Sequence, residues 1–202
     1  MDNFATESSE RTKTLESVLK TVPKQKDRFK SITVKCKKTL VKQLPEIVLG
    51  YINTPKLRCS GRGGCYYSRE GLYKSELEAD LYEGIVGCAV GMFLNDRQRS
   101  LADEECRDAS TLIQDLGDGK FKDGSRFLPI VVERNPDFMD KLQLWHDGDN
   151  NWILDDDDDR MSWVGLKTLI DLMINANIKE VLLCLPEKYH DDAIGYIEDF
   201  IL

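Results

Sequence analysis

The chain has 202 residues, 41% of them hydrophobic, and a formal net charge of -8, with apolar content sufficient to fill the core of one sizeable domain. It contains no run of about 18 apolar residues, which excludes a membrane-spanning helix, and its polar, acidic start, MDNFATESSERTKTLE, lacks the basic-then-apolar order of a signal peptide. The charge is segregated: residues 1–75 hold 16 lysines and arginines against 7 acids, a balance of +9, and the remainder holds 12 against 29, a balance of -17.

Leu15, Val18, Leu19 and Val22 follow helical spacing up to Pro23. Phe29, Ile32, Cys36, Leu40 and Leu44 predict a second helix from about Asp27 to Leu44, so that residues 1–54 read as a basic helical arm. Pro45 opens the indefinite piece EIVLGYINTP, and RCSGRGGCYYSREG reads as a glycine-rich loop and short hairpin. Ser75 with Glu78 is a capping-box pattern for a short helix through Tyr82. Ser100 with Asp103 predicts a further helix start, continued by Leu101, Ala109, Leu112, Ile113 and Leu116 as far as Gly117.

The apolar run RFLPIVVE reads as an edge strand broken at Pro129. Asn135 and Pro136 occupy cap and first-turn positions of a helix whose inner face is Phe138, Leu142 and Trp145. Another helix starts after Ser162 and runs along Trp163, Leu166, Ile170 and Met173, IKEVLLCLP reads as a strand, and Ile194, Ile197 and Ile201 mark a last helix. The order predicts a predominantly helical α+β fold: the arm, then an acidic core domain over residues 55–202 with a small hairpin or sheet.

The six cysteines show no Cys-x-x-Cys pair, and in a chain without an export signal reduced thiols are the expected state. Cysteine catalysis needs a base and a group to orient it; with only two histidines, the candidate set is Cys88 as nucleophile, His146 as base and Asp147 as orienter. Gly87 and Gly91 flank Cys88 and give the backbone room to approach a ligand, although a small cysteine among apolar neighbours fits an inert core as well. Cys59, Cys65, Cys88 and His146 are the available soft-metal ligands, but Cys59 and Cys65 are too widely spaced for a zinc knuckle. In HDGDNNWILDDDDDR, the residues Asp147, Asp149, Asn151 and Asp158 echo a calcium loop, yet Trp152 stands where the loop demands glycine. No metal and no cofactor are therefore expected. Arg62, with Gly63 and Gly64, sits on a glycine-rich loop that lacks a phosphate-loop lysine but offers backbone amides to an anion.

Cys65, Gly87-Cys88-Ala89-Val90-Gly91, Asp96, and Leu142-Gln143 with His146-Asp147 and Trp152 resemble a recurrent family of small phage and prophage proteins. In that family a cysteine-containing hairpin leads into a Cys-Ala-Ile-Gly type segment, and a later helix ends in Leu-Gln-x-x-His-Asp. The likeness covers roughly residues 58–175; Met92 stands where a second cysteine is common, and the basic arm has no counterpart. It implies phage origin, hence the host cytoplasm, and packing of the Cys88 turn against the helix end at His146, a structural latch at least as much as an active site.

The expected function is a non-enzymatic phage accessory protein that binds a host protein and inhibits or redirects it, including in antiviral defence. Its contact would be the aspartates 155 to 159 (Asp155, Asp156, Asp157, Asp158 and Asp159), an acidic run able to imitate nucleic acid toward a basic partner. The basic helices would supply a homo-oligomer contact, while nucleic-acid binding by the basic segment is disfavoured because interleaved aromatics are missing. Two alternatives stay open: a small hydrolase or transferase built on Cys88 and His146, and a sponge for a small anion at Arg62.

Overall fold

The computed structural model describes residues 32–53, 55, 88–105, 111–114, 128–154 and 159–199. The expected helices at 15–22 and 75–82 and the hairpin of the 58–71 segment lie outside these residues. The described part is predominantly helical with one small antiparallel sheet, and its buried side chains form a single hydrophobic cluster.

Helix α1 (Lys37–Asn53) buries Leu40, Leu44, Ile47, Val48, Tyr51 and Ile52, a stripe at three- and four-residue spacing. It begins ten residues later than the sequence predicts and continues past Pro45. The apolar stripe continues on both sides of the proline, so burial outweighs the roughly 3 kcal/mol penalty of an interior proline. Residues 32–36 are not helical. The Ile32 N–H donates to the Asn175 carbonyl at 2.9 Å, and Cys36 adopts a left-handed conformation, φ 53°, immediately before the helix. Lys35 is clamped by Asn135, which accepts from the Lys35 N–H at 2.7 Å and donates to the Lys35 carbonyl at 2.9 Å. The apolar face of α1 is thus consumed inside the chain.

Helix α2 (Asp96–Glu105) starts four residues before the expected Ser100. Asn95 and Gln98 cap it reciprocally: the Asn95 N–H donates to Gln98 Oε1 at 2.9 Å and the Gln98 N–H to Asn95 Oδ1 at 3.0 Å. Ser100 lies inside the helix and donates to the Asp96 carbonyl. The segment expected as an edge strand forms the short helix α3 (Ile130–Glu133), with Pro129 in front of it, where its missing N–H costs nothing.

Helix α4 (Pro136–Asp147) follows the predicted start and buries Phe138, Met139, Leu142, Gln143, Trp145 and His146. A turn at Asp149–Asn151 leads into strands β1 (Trp152–Ile153) and β2 (Arg160–Met161), paired antiparallel with Trp152 opposite Met161 and Ile153 opposite Arg160. Trp152 and Met161 point into the core and their neighbours point out.

Helix α5 (Trp163–Asn175) starts where predicted, its Ser162 hydroxyl accepting from the Gly165 N–H at 3.0 Å. Beyond it the run expected as a strand is a 3₁₀ turn, Val181–Cys184. Val181, Leu182, Cys184 and Leu185 are buried while Leu183 is exposed, a pattern of burial without alternation that docks on α1 in place of a partner strand. Helix α6 (His190–Asp199) buries Ala193 and Ile197 against α5. Among the described residues no helix is long and apolar enough to cross a membrane.

Candidate functional site

The Cys88 segment is a tight turn. Met92 N–H donates to the Cys88 carbonyl at 3.2 Å, Phe93 N–H to the Val90 carbonyl and Leu94 N–H to the Gly91 carbonyl, both at 3.0 Å. The Cys88 sulfur accepts from the Gly91 N–H at 3.2 Å, so the side chain closes the turn that contains it. Arg99 of α2 ties the far side, donating from Nε to the Gly91 carbonyl at 2.9 Å. Cys88, Ala89 and Val90 are wholly buried.

The turn meets the end of α4 through Gln143. Its Oε1 accepts from the Val90 N–H at 3.2 Å, and its amide nitrogen donates to Asp147 Oδ1 at 2.8 Å. Residues 143, 146 and 147 lie three and four apart, which puts their side chains on one helix face. His146 Nδ1 is 2.7 Å from Asp147 Oδ1 and 3.4 Å from the Gln143 amide nitrogen, so the carboxylate is its hydrogen-bond partner and Nδ1 carries the proton. The imidazole is fully buried, with the Tyr51 ring edge-on at a centroid distance of 4.5 Å, whereas the Asp147 side chain is half exposed. Among the described residues Nε2 has no hydrogen-bond partner.

Cys88, His146 and Asp147 are therefore brought to one region, but the bridge is Gln143. The thiol is engaged by Gly91, the imidazole by Asp147, and no hydrogen bond joins sulfur to imidazole. The arrangement holds a turn against a helix end and gives the imidazole a fixed orientation. Gln143 stands in the Leu-Gln-x-x-His-Asp pattern without a role in the sequence reading; its spacing from 146 and 147 was the available signal.

The second candidate region is the hairpin of β1 and β2. Its base is a hub of polar contacts: Asn151 donates to the Trp145 carbonyl at 2.8 Å, Ser162 N–H to the Asn151 carbonyl at 2.8 Å, and the Ser162 hydroxyl to the Asn150 carbonyl at 2.5 Å. The indoles join it, Trp145 Nε1 donating to the Gly165 carbonyl at 3.1 Å and Trp152 Nε1 to the His146 carbonyl at 3.0 Å. Asn151 Nδ2 and Asp147 Oδ1 are thereby engaged in protein contacts, and Asp158, the last position of the calcium-loop echo, lies outside the described residues. Among the described residues no group of three or more histidine, cysteine, aspartate or glutamate side chains is placed to hold a metal ion.

Ile153, Leu154, Trp163 and Val164, at the two ends of this segment, are exposed although apolar. Of the acidic run, Asp159 is described and leads into β2, while Asp155, Asp156, Asp157 and Asp158 lie outside the described residues, as do Arg62, Gly63, Gly64, Cys59 and Cys65. Helical spacing carries no signal for these exposed apolar residues: it sets Trp163 in line with Leu166, Ile170 and Met173, of which Trp163 alone is exposed.

The chain matches no protein-family model, no curated protein and no solved structure.

Proposed function

We propose that this protein acts by binding: a phage accessory protein that attaches to a host protein and inhibits or redirects it, as an anti-defence factor does. The observation that carries the reading is the construction of the 152–161 hairpin. A run of five aspartates connects two strands whose base is fixed by Asn151, Ser162 and two indoles, and Ile153, Leu154, Trp163 and Val164 stand exposed on either side. Apolar residues that flank a run of charge in the sequence suit a partner surface that is basic around an apolar centre: the charges steer encounter and the apolar groups supply the buried area.

The test is native mass spectrometry of the tagged protein recovered gently from a bacterial lysate, beside a variant with aspartates 155 to 159 replaced by asparagine. A stoichiometric host protein that is lost in the variant is the expected result. A host protein retained at equal occupancy in the variant removes the acidic run from the contact. A mass shift of nucleotide size with no protein bound overturns the reading in favour of a small-anion site.

The cysteine-enzyme alternative draws support from the 2.7 Å His146–Asp147 pair, the usual means of orienting a base. It requires the Cys88 thiol to leave Gly91 and reach Nε2 in a region that is wholly buried. A thiol-directed electrophile at neutral pH separates the readings: modification of Cys88 faster than in the unfolded chain, and slowed by His146→Ala, favours the enzyme.

A further inference from the structure

The outer faces of α5 and α6 carry a cluster that involves neither the Cys88 turn nor the acidic run. Trp163, the first residue of α5, is 47% exposed and stands near a right angle to Tyr196 of α6, with centroids 6.0 Å apart and planes at 77°. Lys167, one turn along α5, holds its Nζ 5.0 Å from the Trp163 centroid and 5.3 Å from the Tyr196 centroid. One turn further on, Asp171 accepts the Tyr196 hydroxyl on both carboxylate oxygens, at 3.0 and 3.2 Å.

Two aromatic rings set at a right angle, with a carboxylate behind one of them, make a site of negative potential shaped for a cation. The phenol that donates to a carboxylate becomes more electron-rich in its ring, which strengthens the attraction. The ammonium now over both rings belongs to the chain itself, and it reaches them on a flexible four-carbon stem without a direct ion pair to Asp171 among the described contacts. An ammonium on a flexible stem over two rings, with the Asp171 carboxylate acting on it only through space, is an occupant that an external cation can replace. A methylated ammonium is less strongly hydrated than that of lysine, so it loses less on leaving water and competes well for the same rings.

We propose that Trp163, Tyr196 and Asp171 form a binding site for an alkylammonium group, with Lys167 as its resident and displaceable occupant. The ligand is either a lysine side chain of a protein, methylated or not, or a small quaternary amine. The site stands apart from the hairpin reading, because a small cation reports on it whether or not a host protein is ever recovered.

The test follows the three indole N–H signals by NMR while tetramethylammonium chloride replaces sodium chloride at constant ionic strength. The Trp145 and Trp152 indoles are buried and hydrogen-bonded to backbone, and serve as internal references. The chain is compared with Lys167→Met, which keeps the stem and removes the charge; unchanged reference signals certify its fold. The expected result is a saturable shift of Trp163 alone, with affinity about threefold to tenfold tighter in Lys167→Met, the range that one cation–π contact supports. Tyr196→Phe, which keeps the ring and severs the carboxylate link, is expected to bind more weakly. A short peptide bearing trimethyllysine forms the second arm: tighter binding than tetramethylammonium assigns the site to a protein side chain, and equal or weaker binding to a small amine. Absence of a saturable Trp163 shift with both probes in Lys167→Met, or an equal shift of all three indoles, overturns the proposal.

Discussion

Gly165 lies directly beneath Asn151: a Cβ on Gly165 would stand 2.2 Å from the Asn151 carbonyl oxygen, and the same glycine's own carbonyl accepts the Trp145 indole. The first turn of α5 and the turn before β1 approach so closely that only hydrogen fits between them.

Gly165→Ala is therefore expected to destabilise the fold by about 1–3 kcal/mol or more, since the obstacle is backbone that is itself hydrogen-bonded to Ser162. The check is the urea midpoint at constant slope. A midpoint equal to that of the parent contradicts the close approach.

Gly195, in the middle of α6, is the opposite case, with nothing within 4 Å of an added Cβ. Gly195→Ala should stabilise by about 0.5–1 kcal/mol, because alanine restricts the unfolded chain and costs nothing in the helix. Thermal denaturation reads this as a higher midpoint.

Gln143 is the link between the Cys88 turn and the end of α4. Gln143→Ala leaves the buried Val90 N–H without its acceptor and should cost about 1–3 kcal/mol. Gln143→Glu keeps an oxygen for Val90 and, compared at acidic pH where its carboxyl is protonated, a donor for Asp147 Oδ1. Amide hydrogen exchange distinguishes the two: Val90 should lose protection in the alanine variant and keep it in the glutamate variant. Protection of Val90 in the alanine variant equal to that of the parent would show that Gln143 does not hold the turn.

Burial pushes the Asp171 carboxyl above the ordinary carboxylate range, outweighing the Tyr196 hydroxyl and the Lys167 ammonium, which both pull it down. The folded pKa exceeds the unfolded one, so the stability linked to this group is present below the unfolded pKa and lost as pH rises through the folded pKa. Asp171→Asn keeps an acceptor for Tyr196 and removes the charge. Its stability relative to the parent should be greatest at neutral pH and fall as the solution is acidified below the carboxylate range. A difference independent of pH in paired urea titrations would rule this out.

Burial, with Glu180 adding to it, pushes the Cys184 thiol up to about 12. In the native protein Cys184 should resist alkylation at neutral and mildly alkaline pH, while the half-buried Cys36 reacts first among the three described thiols. Peptide mapping after timed alkylation reads the order, and early modification of Cys184 would contradict it.

Helices with local signals were legible: Ser162 caps α5 with its own hydroxyl and Pro136 fits the first turn of α4, although the Asn135 side chain makes no cap bond there and is spent on Lys35 and Val131. The capping signal at Ser100 misled because Asn95 and Gln98, a few residues upstream, make the same reciprocal bonds. IKEVLLCLP and RFLPIVVE show the limit of reading apolar runs. A short, non-alternating apolar run says that a segment is buried, and only the surface it meets says in what conformation.

Composition and local spacing by themselves determined a predominantly helical chain with a segregated charge, the starts of α4 and α5, and the apolar faces that fill the core. The tertiary structure alone decided that α1 passes through Pro45, that Asn135 clamps Lys35, that Gln143 bridges the Cys88 turn to His146 and Asp147, and that Trp163 faces solvent beside Lys167 and Tyr196. Hydrogen bonds within a turn of helix depend on neighbours in sequence, whereas Lys35 with Asn135, Val90 with Gln143 and Trp163 with Tyr196 are tens of positions apart. Their free energy arises only when the packed core has fixed both partners.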